Sequence, residues 1–142
     1  MKTTTLKITD IKHNWHLVDI DAQILGRVAV KIAGLLMGKG KALTGDHLDN
    51  GDFVVAINAA KFKVTGKKMT DKIYYSHSGF PGGFRELSLS QLAEKDPRRV
   101  IEKAVKGMLP KDKLQQTRLR RLKLFTGSEH PYAVELGLNK KS

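Results

Sequence analysis

Apolar segments of two periodicities alternate along this chain, separated by polar connections rich in glycine and lysine. Residues 1–13 are polar and β-branched with weak periodicity, which predicts an extended arm. Trp15-His16-Leu17-Val18-Asp19-Ile20 has the aromatic and β-branched content of a strand. Beyond the connection Asp21-Ala22-Gln23, Leu25, Val28, Ile32, Leu35 and Leu36 recur at helical spacing as far as Met37. Ala29, Val30 and Ala33 widen that apolar face, so the helix is expected to pack on a sheet. Gly38-Lys39-Gly40-Lys41 ends it, because glycine adopts the left-handed C-terminal conformation without a Cβ penalty. Phe53-Val54-Val55-Ala56-Ile57 is an unbroken apolar run, the signature of a strand buried on both faces, as in a parallel sheet.

Phe62-Lys63-Val64-Thr65 predicts a short strand ended by Gly66-Lys67-Lys68, and Lys72-Ile73-Tyr74-Tyr75 predicts another. The stretch from Ser76 to Gly83 holds three glycines and a proline and reads as a shaped loop. Ser88 can cap a short helix through Lys95, and Asp96-Pro97 starts the next one. Val100, Ile101, Ala104, Val105, Met108 and Leu109 then fall on one side, up to the stop at Pro110. Gly107 inside this helix costs about 1 kcal/mol relative to alanine, a cost that close packing would justify. Lys113 to Leu122 predicts a second, very basic helix. Leu114, Leu119 and Leu122 would anchor it, with Arg118, Arg120, Arg121 and Lys123 projecting in two rows. Leu124-Phe125 predicts a terminal strand. Strands alternating with helices imply an α/β sandwich forming one domain over residues 1–142, with an arm at 1–13 and a tail at 128–142.

Composition adds a direction. The 142 residues include 26 Lys and Arg against 14 Asp and Glu, a net charge of +12. A field of that size favours a polyanionic partner, nucleic acid or an anionic membrane surface. The window from Arg98 to Lys123 has ten basic residues and only Glu102 and Asp112 as acids, so the excess is localised. No stretch approaches the roughly 20 apolar residues of a membrane helix, and the N-terminus lacks the pattern of a secretory signal. The absence of cysteine excludes disulfides, thiolate zinc sites and cysteine catalysis. These features predict a soluble, intracellular, basic protein.

Candidate chemistry of other kinds is thin. Gly34-x-x-x-Gly38-x-Gly40 follows a helix, not a strand, and lacks the Gly-Lys-Ser/Thr of a nucleotide loop. The five histidines form no metal-ligating pair, Asp46-His47-x-Asp49 reads as a solvated loop, and Ser76-His77-Ser78 is no triad. No metal, cofactor, small-molecule substrate or catalytic residue is expected. The basic side chains stand out instead. Lys39, Lys41, Lys67, Lys68, Lys72, Lys111, Lys113, Arg118, Arg120, Arg121 and Lys123 concentrate at loops and helix ends. Salt bridges cannot neutralise ten cations with two acids, whereas a phosphate backbone can, driven by counterion release. Tyr74, Tyr75, Phe80 and Phe84 flank the glycine loop, where they either stack on unpaired bases or pack in the core. Residue-level reading thus reaches an RNA- or DNA-binding α/β domain.

Several ordered motifs carry a more specific resemblance. They are Val18-Asp19 with Leu25-Gly26-Arg27, Gly38-Lys39-Gly40-Lys41, Gly51-Asp52 with Ile57-Asn58-Ala59, and Thr65-Gly66-Lys67-Lys68. The segment from Asp71 to Gly83, Ala104-Val105-Lys106-Gly107-Met108-Leu109-Pro110-Lys111, Leu122-Lys123-Leu124-Phe125 and Glu129-His130-Pro131 continue the series. Along nearly its whole length the chain resembles the bacterial-type large-subunit ribosomal protein of the L-thirteen family. The resemblance implies a three-layer α/β/α domain around a mainly parallel four-stranded sheet. It also implies a structural constituent of the large ribosomal subunit, bound to large-subunit rRNA and to neighbouring ribosomal proteins, and important in early assembly and translation. The basic residues named above, with Tyr75, His77, Gly82, Gly83 and Lys106, are the expected rRNA contacts. After Pro110-Lys111 the family's usual Gly-Pro-Leu-Gly-Arg-like turn is replaced by Asp112-Lys113-Leu114-Gln115-Gln116. The alternatives to be set against this reading are a nucleotide-binding enzyme and a DNA-binding or free RNA-binding regulator.

Overall fold

The fold, taken from a computed structural model, is described for residues 4–137. Strand β1 (Trp15–Asp19) leads into helix α1 (Leu25–Met37), and β2 (Phe53–Ile57) follows a loop. Short helix α2 (Lys68–Asp71) precedes the hairpin of β3 (Ile73–His77) and β4 (Phe84–Ser88). Helices α3 (Leu89–Lys95), α4 (Pro97–Met108) and α5 (Leu114–Arg120) then lead to β5 (Leu122–Leu124).

The class is α/β and the main sheet is parallel, in the order β1-β2-β5. Trp15 pairs with Phe53 and Asp19 with Ile57, while Val54 pairs with Leu122. The run 53–57 earns its central place through its composition: its inner three residues are all buried, as an apolar strand covered on both sides requires. Val18, Val54, Ala56 and Leu122 join one apolar cluster with α1, α3 and α4. By the two-residue alternation of a strand, Trp15, Leu17, Phe53 and Val55 point to the opposite face. There Trp15 stacks on Phe53 (4.4 Å between centroids) and on Tyr132 of the C-terminal segment (5.1 Å).

Local signals placed the helices well. Ser88 and Gln91 form a reciprocal capping box on α3, and the Asp96 side chain accepts from the Arg98 N–H at the start of α4. Gly38 closes α1 in the left-handed region at φ 74°. Gly51 is required for a different reason: a Cβ there would lie 1.6 Å from the Leu36 carbonyl oxygen. The backbone at 51 therefore approaches the end of α1 as only glycine can.

Other expectations are corrected. Phe62–Thr65 is not a strand; only the parallel bridge between Ile24 and Lys63 forms there. Its partner segment turns into α1 at Leu25, so the ladder has nowhere to continue, and this bridge is what adds to the three parallel strands. Strand β4 was not anticipated, and β3 runs on to His77, into the stretch read as loop. The arm is not simply extended: Leu6 is buried and Ile8–Asp10 makes a 3-10 turn. The terminal strand starts two residues before the position predicted. Of the arm and the tail, residues 1–3 and 138–142 lie outside the described residues.

Candidate nucleic-acid interface

Helix α4 organises the basic surface. Val100, Ile101 and Val105 are buried, which turns Lys103 and Lys106, three residues apart, to the exposed side. Lys103, Lys106 and Lys111 border a depression of about 530 Å³. Lys103 also borders an adjoining one of about 400 Å³, opposite Lys68 and Lys72. The two share Gly107. Lysines distant in sequence thus form one continuous cationic surface. Among the described residues none of these five takes part in an ion pair. Lys103 was missed in the sequence, although its spacing from Lys106 on the polar side of the helix was visible.

The replaced turn after Lys111 is held by bonds of its own. Asp112 pairs with Arg118 at 3.5 Å, and the Gln115 amide donates to the Lys106 carbonyl at 3.0 Å. Lys113 lies exposed at the start of α5.

The remaining candidates fall into three situations. Lys39, Lys67 and Arg120 are exposed, and Lys123 is half-buried on β5 opposite Val55. Lys41 is engaged inside the fold, 2.7 Å from Asp52, with His16 on the other carboxylate oxygen at 2.8 Å. Burial pulls the Asp52 carboxyl up, but Lys41, the Asn14 N–H and His16 outweigh it and hold it below its ordinary value.

Arg118 and Arg121 are the main correction. Neither projects outward: they are 4% and 6% exposed. The Arg121 guanidinium donates to the carbonyls of Gly51 (2.6 Å) and Leu36 (3.4 Å) and pairs with Asp49. It also lies 3.0 Å from His13 Nδ1, so it ties the N-terminal arm to the end of α1. A cation on the last carbonyls of α1 also opposes the negative end of that helix. Arg118 approaches the same Asp49 at 3.9 Å. Asp49, read from sequence as part of a solvated loop, is the shared counter-charge of two buried arginines.

The hairpin separates its two tyrosines. Tyr74 packs against the core and burial raises its phenol above the ordinary value, while Tyr75 is 60% exposed and stacks on Phe84 at 5.8 Å. His77 is exposed on the same face as Tyr75, and its Nδ1 accepts from the Gly79 N–H at 2.8 Å. Gly82 has φ 72°, and a Cβ on Gly83 would displace the Ser78 hydroxyl and lie 3.0 Å from the Phe80 carbonyl oxygen, so the turn itself favours both glycines.

A family described as "Ribosomal protein L13" matches residues 13–131. A "Large ribosomal subunit protein uL13" of Syntrophotalea carbinolica is 51% identical over 135 residues, 95% of each chain. That of Pseudomonas syringae pv. tomato is 50% identical over 141 residues, 99% of each chain. That of Thermosipho africanus is 50% identical over 134 residues, 94% of this chain and 90% of its own. Half the residues shared over almost the full length, with the family match spanning the fold from the arm to the C-terminal segment, settle the relationship: the chain belongs to the ribosomal protein L13 family.

Proposed function

We propose that the protein is a structural constituent of the large ribosomal subunit, binding large-subunit rRNA and neighbouring subunit proteins and supporting early assembly and translation. The observation that carries this reading is the unneutralised lysine surface around α4 in a member of this family. Lys68, Lys72, Lys106 and Lys111, with Lys103, gather where a polyanion can run across them. Lys39, Lys67, Lys113, Arg120 and Lys123 extend the charge to the rest of the surface, and Tyr75, His77 and the turn glycines offer a separate contact on the hairpin. Phosphate contacts of this kind position a protein on folded RNA, while exposed aromatics take unpaired bases. The chain acts by binding, and its site of action is the ribosome in the cytoplasm.

Sedimentation of lysate with and without ribonuclease tests this. The protein is expected with large subunits after a low-salt wash, and released by ribonuclease or by high salt, since counterion release weakens each phosphate contact. Recovery chiefly as a free pool in growing cells would overturn the reading.

A further inference from the structure

The depression of about 400 Å³ between α1, residues 64–72 and α4 has a composition unlike the rest of the surface. Its floor is apolar, with Leu25 and Leu89 buried and Val64 half-buried. Exposed Lys68, Lys72 and Lys103 stand around it, and no acidic side chain lines it. Lys103 Nζ and Lys72 Nζ lie 5.0 and 5.6 Å from the centroid of the same Tyr74 ring. Two ammonium groups drawn to one ring leave a local positive charge that an anion between them would relieve.

Two glycines line the same cavity from within helices: Gly26 in the first turn of α1 and Gly107 in α4. Gly26 is the second residue of α1 and Gly107 the last but one of α4, where glycine is less favourable than alanine and no left-handed φ calls for it. Yet a Cβ at either position would meet nothing within 4 Å. Close packing within the chain, the expected reason for Gly107, is therefore absent. What the missing side chains leave open is the cavity. The first turn of α1 also has no side-chain cap and no acidic residue; its Leu25 N–H is taken by the Lys63 carbonyl at 2.8 Å, but the positive end of the helix still favours an anion at that rim.

We infer that this cavity receives one unpaired nucleotide of the large-subunit rRNA, its base against the apolar surface at Leu25 and Val64 and its phosphate among Lys68, Lys72 and Lys103. The inference rests on the rRNA-binding reading and adds a defined recess to it. An apolar floor with a cationic rim matches a nucleotide, which carries an apolar base face and an anionic phosphate about one side chain apart. A peptide offering the same match would need an apolar residue beside an acidic one.

The test uses the full chain assembled into large subunits, with a photo-crosslinking amino acid in place of Met108 at the cavity edge. After irradiation the product is digested with ribonuclease or protease. The expected result is a crosslink confined to one or two nucleotides of large-subunit rRNA. Gly107→Leu puts a side chain at the recess from a position where a Cβ meets nothing within 4 Å, and improves helix propensity, so it should melt no lower than the parent yet abolish that crosslink. Lys72→Gln with Lys103→Gln should weaken the same crosslink and make it more sensitive to salt. A crosslink to protein, or an RNA crosslink that survives Gly107→Leu, overturns the inference while incorporation stands. Failure of the unsubstituted chain to enter large subunits would overturn the broader reading with it.

Discussion

Arg118 and Arg121 show how burial reassigns a charged side chain. Both share Asp49, which lies 72 positions before Arg121. Removing that carboxylate leaves the buried Arg121 guanidinium without a counter-charge and Arg118 with Asp112 alone. Asp49→Asn is therefore expected to lower unfolding stability by about 3–5 kcal/mol in a urea titration, the range for stripping one partner from a buried ion pair. Arg120→Gln, on the exposed side, should change stability by about 0.5 kcal/mol or less. Asp52 links the fold to pH. Its folded pKa lies below the ordinary value, so its contribution is present above the unfolded pKa of about 3.9 and is lost as pH falls through the folded one. Thermal melts from pH 7 to pH 2 should show a steeper acid loss for the parent than for Asp52→Asn, which lacks that contribution at every pH.

Among the elements, α1, α3 and α4 were legible because their signals are local. Apolar spacing selects one face, and caps mark the ends: Gly38 for α1, Ser88 for α3 and Asp96 for α4. The Asp96 carboxyl is held below its ordinary value, first by the Arg98 side chain, against a smaller opposing effect of burial. Asp96→Ala should cost about 1 kcal/mol in chemical denaturation, the usual worth of an N-cap. The hairpin was half-legible. Tyr74 and Leu87 alternate inward on paired strands, but Phe84-Arg85-Glu86 carries too much charge to announce a strand. Antiparallel pairing with β3 supplies the hydrogen bonds that its own sequence does not advertise.

At the scale of the molecule, described segments from the two ends of the chain meet on the same sheet. Trp15, the one tryptophan of the chain, is sandwiched between Phe53 and Tyr132. Tyr132→Ala should shift Trp15 fluorescence to longer wavelength and lower stability by about 0.5–1.5 kcal/mol beyond the lost buried area, the worth of an aromatic pair. The motif series and the localised positive charge were written in the chain itself, and with them the family and the expectation of a polyanionic partner. So were the central strand 53–57 and the principal helices, because a period of two or 3.6 and a capping residue are one-dimensional signals. Which cations face outward was decided only by the tertiary structure. Helical spacing puts Arg118 and Arg121 on one side of α5, but whether that side meets water or Asp49 depends on a loop packed from far along the chain. The lysine surface and its recess arise the same way. Lys68, Lys72 and Lys103 come from separate segments, and the space between them exists because two helical glycines lie where α1 and α4 meet the chain at 64–72.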